Sequence, residues 1–182
     1  MFTENEWING KFEETETDYK ISGKNILWKN EIEFLPKGVE LICDKIKPKS
    51  VLEFGFGMGW TATEFQKQGV ERHIILEPNK ENYQMALEWK KQYNTDIEIL
   101  NLFSWEFNTK EKFDLVYDDR EPIASGDTEK HFKHIKTILP KKQLYAFNSY
   151  IAKGDNFGQS IEYTLNGIKY RQSLTEGFYG NN

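Results

Sequence analysis

Ser50-Val51-Leu52-Glu53-Phe54-Gly55-Phe56-Gly57-Met58-Gly59-Trp60 is where the character of the chain changes. A short, mainly apolar run meets three glycines spaced two apart, and a helical pattern from Trp60 to about Lys67 follows. An apolar run stopped by glycine reads as a buried strand. Outward from it the alternation repeats. His73-Ile74-Ile75-Leu76 reads as a second buried strand, Glu81 to Gln92 as a helix, and Ile97-Glu98-Ile99-Leu100 as a third strand. Phe113 to Tyr117 is a fourth strand, Thr128 to Leu139 a helix stopped by Pro140, and Gln143 to Phe147 a fifth strand.

Strand alternating with helix over about 100 residues is the signature of a parallel sheet covered on both faces. The tail departs from it: Ser160–Leu165 and Ile168–Ser173 flank Asn166-Gly167, the pattern of a hairpin with a type I′ turn. The expected fold is therefore α/β, a Rossmann-like, mostly parallel sheet with flanking helices, ending in an antiparallel hairpin with a small C-terminal part. The links from Leu100 to Phe113 and from Ser149 to Ser160 are too short or too polar for well-formed crossover helices. Upstream, residues 1–22 are acidic and weakly periodic and read as an arm anchored by Trp7, Phe12 and Tyr19. From Asn25 to Lys47, Ile26, Leu27, Ile32, Leu35, Val39, Ile42 and Ile46 recur at helical spacing. Pro36-Lys37-Gly38 interrupts them, so two helices or one broken helix are expected. Residues 1–48 would cover the site of a sheet domain spanning 49–182, in a chain of one domain overall.

Composition agrees with an ordinary globular domain. The chain has 182 residues, 15% of them aromatic, which argues against disorder. Net charge is −5, the opposite of what a phosphate-binding surface wants, so nucleic acid is not an expected partner. No apolar run reaches the roughly 18 residues of a membrane span, and the acidic N-terminus is unlike a signal peptide. A soluble, cytoplasmic protein is expected. The single Cys43 excludes an intramolecular disulfide and any cysteine-based zinc cluster; within an apolar helical stretch it reads as a buried, inert thiol. His73, His131 and His134 lack metal-ligand spacing; His131 and His134, three apart among lysines, read as a solvated helix edge. No metal is expected.

The glycine spacing restricts the ligand. A dinucleotide fingerprint starting at Gly55 would need glycine where Trp60 stands, and no Gly-Lys-Ser/Thr follows to make a phosphate loop. What stands here is an acid, Glu53, ahead of Gly55-x-Gly57-x-Gly59, with a second acid, Glu77, after the second strand. A carboxylate at Glu77 can accept from both ribose hydroxyls of a nucleoside. An acid beside the glycine loop suits a cationic amino group, not a pyrophosphate. Together they describe S-adenosyl-L-methionine, which carries a ribose and an ammonium and no phosphate.

Val51 to Trp60 resembles motif I of the class I S-adenosylmethionine-dependent methyltransferases. Within them the chain is most similar to the guanidinoacetate and arginine N-methyltransferase family, over residues 21 to 150. The similarity lies in Ile21 to Leu27 with Glu31 and Leu35, in Gly55-Phe56-Gly57-Met58, and in Ile75 to Asn79. It continues in Phe113-Asp114 through Tyr117-Asp118-Asp119 to Pro122, and in Asn148-Ser149. Positions matching Leu27, Glu31 and Leu35 are Met, Glu and Met in that family, where they contact cofactor or guanidino substrate. The resemblance implies a cofactor set of Glu53, Gly55, Phe56, Gly57, Met58, Gly59, Trp60, Glu77, Pro78, Phe103, Ser104 and Asp118, with Phe103, Ser104 and Trp105 near adenine. Trp60 is expected to pack rather than to touch the acceptor, and Trp7 to belong to an aromatic lid. Two departures stand out: the family's carboxylate-holding loop is unmatched past Ser149, and its tryptophan ahead of the glutamate is displaced, with Asn30 in its place and Trp28 nearby.

The chemistry expected is direct in-line methyl transfer, yielding S-adenosyl-L-homocysteine, to a nitrogen of a small guanidino- or amino-bearing molecule. A guanidinium is a poor nucleophile, and carboxylates beside it would orient it and accept its proton. Asp119 or Asp118, at the open end of the fourth strand, would be one such group and Glu31 the second. Alternation puts the two aspartates on opposite faces, so one of them does this work. The alternatives are a methyltransferase for a macromolecular acceptor, or a cofactor-binding protein without small-molecule methylation: a sensor, a scaffold or a cofactor-cleaving enzyme.

Overall fold

The computed structural model describes residues 2–120, 127–139, 144–149, 159–165 and 168–176. Its N-terminal part is more regular than an arm. Helix α1 (Glu4–Asn9) opens on a reciprocal cap, in which the Thr3 hydroxyl accepts from the Glu6 N–H and the Glu6 carboxylate accepts from the Thr3 N–H. Strands β1 (Phe12–Glu14), β2 (Asp18–Ile21) and β3 (Lys24–Trp28) then form an antiparallel three-stranded sheet. Ser22 and Gly23 both take positive φ, 50° and 74°, in the turn joining β2 to β3. Ile26 and Leu27 are thus strand residues and not the start of a helix. A 3-10 turn over Lys29–Glu33 leads to α2 (Leu35–Ile46). Pro36 sits in the first turn of α2, where its missing N–H costs no hydrogen bond, so it starts the helix instead of breaking one.

The main sheet follows the expected order of elements: β4 (Ser50–Phe54), α3 (Trp60–Lys67), β5 (Arg72–Leu76), α4 (Lys80–Lys90), β6 (Asp96–Leu100), β7 (Leu115–Asp118), α5 (Asp127–Ile138), β8 (Leu144–Ser149), β9 (Gln159–Leu165) and β10 (Ile168–Glu176). Residues 101–114 contain no helix or strand. Spatial order is β6-β5-β4-β7-β8-β10-β9. The pairings from β6 through β8 are parallel, and β10 runs antiparallel to both β8 and β9. The tail is therefore a hairpin whose second strand docks on the parallel sheet and whose first strand lies outside it. Its Asn166-Gly167 turn, the link over 150–158, and Pro122 and Pro140 lie outside the described residues.

Alternation along β4 divides the core. Val51 packs with Val39, Ile42 and Cys43 of α2, Phe65 of α3 and Tyr117 of β7 on one face. Leu52 and Phe54 pack with Val116, Phe107, Phe113 and Ile135 of α5 on the other. Phe54 pairs with Asp118 across the β4–β7 ladder, so the Asp118 side chain belongs to the α5 face. Cys43 is buried, and burial pushes its thiol up to about 12. No helix among the described residues is long and apolar enough to cross a membrane.

Candidate functional site

The open ends of β4, β5, β6 and β7 surround a cavity walled on its far side by the N-terminal segment through Trp7, Ile26 and Leu27. Its floor is the glycine loop. Gly55 has φ 89°, and a Cβ there would stand 3.3 Å from the Asp119 carbonyl oxygen and 3.4 Å from Arg120 Cα, so glycine lets the β7 exit close against the loop. Gly59 has φ 71°, and a Cβ would stand 2.6 Å from the Phe56 ring. Gly59 is the N-cap of α3, and the cavity wall beside it is made by Gly55, Phe56, Gly57, Met58 and Trp60.

Glu77 lines the cavity at the end of β5 and is almost wholly buried. Its two carboxylate oxygens accept from the N–H groups of Phe56 (3.0 Å) and Asn79 (2.8 Å), which fixes the side chain beside the loop. Burial raises its pKa, an effect the N–H donors partly offset. Pro78 follows on the wall, and Phe103, Ser104 and Trp105 close the side beyond β6. Phe103 and Trp105 stack with centroids 4.5 Å apart.

The expected carboxylates go to different places. Asp119 lines the cavity. Asp118 does not: one oxygen lies 3.2 Å from Arg120 Nε and the other 3.5 Å from His131 Nε2 on α5. Glu53 is fully buried beneath the wall, where it accepts from the Thr61 hydroxyl and lies 2.9 Å from His73 Nε2. Thr61 is the residue of that pair that lines the cavity, so Glu53 reaches the cavity through Thr61 and not directly. Glu31 lies in the turn ahead of α2. Its carboxylate accepts the Trp28 N–H at 2.9 Å, because the segment ahead of α2 is a 3-10 turn that uses Glu31 as its own cap. It is absent from the cavity wall, whereas its neighbours by family match, Leu27 and Leu35, are on it.

Several cavity features escape a linear reading. Trp7 and Ile26 form a wall because the N-terminal segment is sewn to α4. Asn79, fully buried, caps α4 through its Oδ1 (3.0 Å to the Asn82 N–H), and its amide donates to the carbonyls of Trp7 (2.6 Å) and Gly10 (3.0 Å). The Phe2 ring meets the Trp7 ring edge-on at 4.9 Å. His131 is no solvated edge: it is fully buried, 2.6 Å from the Ser104 hydroxyl, while His134 Nε2 lies 2.7 Å from the Phe107 carbonyl. Among the described residues no group of three His, Cys, Asp or Glu side chains could hold a metal.

Known proteins share this architecture. The chain is similar in fold to the N-methyltransferase NodS from Bradyrhizobium japonicum WM9, at TM-score 0.62 and 12% identity over 82% of this chain and 98% of that one. It is also similar to PH1948 from Pyrococcus horikoshii, assigned as an RNA methyltransferase (TM-score 0.54, 15% identity, 84% and 82% covered). A third is the 1,6-didemethyltoxoflavin-N1-methyltransferase from Burkholderia thailandensis, solved with S-adenosylhomocysteine (TM-score 0.50, 14% identity, 76% and 61% covered). These likenesses speak for the fold, and their acceptors differ widely. The family model for guanidinoacetate N-methyltransferase matches residues 3–147, from the capped first helix to the fifth parallel strand. With that match spanning the N-terminal segment, the glycine loop and the β7 exit together, the chain belongs to the guanidinoacetate N-methyltransferase family and is a class I methyltransferase that uses S-adenosyl-L-methionine.

Proposed function

We propose that the chain methylates a nitrogen of a small guanidino- or amino-bearing molecule, with Asp119 as the group that faces the acceptor. The observation that carries this reading is the parting of the two aspartates: Asp119 stands on the cavity wall against Gly55, while Asp118 is turned to Arg120 and His131. The cavity suits the cofactor. A Cβ at Gly57 would meet nothing nearer than Leu27 at 3.8 Å, which leaves open backbone beside the loop, and Glu77 supplies a buried acceptor for a ribose. Glu77 would hold the nucleoside, Thr61 and the glycine loop its amino-acid end, and Phe103 and Ser104 its base.

S-adenosyl-L-methionine, when bound, supplies an electrophilic methyl on a sulfonium. Asp119 would hold an N–H of the acceptor, keep its nitrogen aimed at the loop and take the proton released as the new N–C bond forms. Trp7 and Ile26 would exclude water from the covered side. Small size of the acceptor is supported by the enclosing wall that the N-terminal segment adds over the cavity.

The test mixes purified protein with the cofactor and a panel that includes guanidinoacetate, arginine, simple amines, a basic peptide and an RNA hairpin. Gain of one methyl on a guanidino or amino compound, with S-adenosylhomocysteine formed in equal amount, is the expected result. Methylation confined to the peptide or the RNA would reject the small-molecule reading.

A further inference from the structure

Strand order β6-β5-β4 lays out the cavity along one line. The glycine loop leaves β4, Glu77 ends β5, and Ser104 follows β6, so with the ribose at Glu77 the base lies at Ser104. Ser104 is buried, and its hydroxyl oxygen is 2.6 Å from His131 Nδ1. The far nitrogen of the same ring, Nε2, is 3.5 Å from Asp118 Oδ2. Arg120 stands on the other side of Asp118, with its Nε 3.2 Å from Oδ1 and its backbone N–H donating to Oδ1 at 3.3 Å.

We propose that Asp118, His131 and Ser104 form a relay that makes the Ser104 hydroxyl an acceptor toward the cavity and so selects a 6-amino purine over a 6-oxo purine. It rests on the cofactor placement given above. A neutral imidazole has one N–H and one bare nitrogen. The Asp118 carboxylate can only accept and draws that proton to Nε2, leaving Nδ1 bare. A bare Nδ1 at 2.6 Å from a hydroxyl must receive the hydroxyl proton. The lone pairs of Ser104 are then what remains for the ligand, a match for an exocyclic amino group and a repulsive contact for a carbonyl oxygen. The ring stays neutral in this pocket: it lies edge-on to Phe54 and Phe132, and burial brings its pKa down to about 4, with Arg120 and His134 opposing and Asp118 favouring the charged form. His131 acts through Ser104 and is a positioning residue.

The experiment titrates the protein with S-adenosylhomocysteine and with its inosine counterpart, S-inosylhomocysteine, by calorimetry. Wild type should prefer the adenosine ligand by at least about tenfold. Ser104→Ala should bring the ratio to within about threefold, chiefly by weakening the adenosine ligand. Asp118→Asn offers Nε2 a donor, shifts the imidazole proton to Nδ1 and turns the Ser104 hydroxyl toward the ligand. The inosine ligand should then bind about threefold or more tightly than it does to wild type, a gain that mere loss of packing would not produce. Nitrogen-15 spectra of the histidines report the tautomer directly, and a proton on Nδ1 of His131 in wild type would overturn the relay even if a variant fails to fold. An unchanged ratio in folded Ser104→Ala overturns the relay alone. Failure of wild type to bind either ligand overturns the cofactor placement and the relay with it.

Discussion

Asp119 and Asp118 are adjacent and chemically identical, yet the β7 exit gives them opposite surroundings, and their substitutions should separate accordingly. Asp119→Asn should lower turnover by about a hundredfold or more, the usual scale for a positioned acid–base group, while leaving the affinity for S-adenosylhomocysteine within about twofold. Comparing S-adenosylhomocysteine formation rates with calorimetric binding checks both halves. Glu77 carries a pH dependence of definite sign. The ionised carboxylate is the better acceptor for ribose hydroxyls, and burial raises its pKa, so affinity should be greatest at the alkaline end of its titration. It should fall on acidification sooner than an ordinary carboxylate would allow. Titration with 5′-methylthioadenosine, which lacks the amino-acid end, isolates this group, and Glu77→Gln should flatten the profile. From the linear sequence the two aspartates could be assigned only to opposite faces. The register of Asp118 with Phe54 puts Asp118 on the α5 side, and Asp119 is the one on the cavity wall. His131 was hidden for a different reason: histidines among lysines look solvated until a helix is seen packed on a sheet face.

Among the elements, the turn from β4 into α3 depends most on single atoms. Gly59→Ala adds a methyl at positive φ and against the Phe56 ring, which should cost about 1–3 kcal/mol and lower the thermal midpoint accordingly. S-adenosylhomocysteine binding should weaken with it, because the same ring lines the cavity. The strand–glycine–helix turn was legible in sequence because glycine spacing and apolar runs are local signals, as they were for β5, β6 and the hairpin. The β1–β3 sheet was not. Ile26, Leu27, Ile32 and Leu35 fall at helical spacing by coincidence across a strand, a 3-10 turn and a helix start. The local signal lay in Ser22-Gly23, two residues able to take positive φ between Tyr19 and Ile26. Asn79 joins this sheet to the rest. Asn79→Ala removes a helix cap worth about 1 kcal/mol and both bonds to the N-terminal segment. Limited proteolysis within residues 10–18 should then be faster than in wild type, and bound S-adenosylhomocysteine should slow it.

At the scale of the molecule, buried His131 couples folding to acidity. Its pKa in the folded chain is about 4 against an ordinary 6.5, so between those values the unfolded chain binds more protons. Stability contributed by the neutral ring is present above pH 6.5 and is lost as the pH falls toward 4, with a limiting slope of about 1.4 kcal/mol per pH unit. Urea melts across this range should show that slope shrinking in His131→Gln, whatever the offset in absolute stability. The whole architecture was legible in outline because alternation of strand and helix leaves few topologies, while the insertion of β10 between β8 and β9 is a long-range pairing that no local pattern encodes.

The Phe2–Trp7 contact has a practical side. Phe2 is buried and touches a ring that walls the cavity. A substitution at Phe2 is then an alteration to the binding site, and kinetic constants measured for Phe2→Ala should differ from those of wild type although Phe2 itself is no part of the cavity wall.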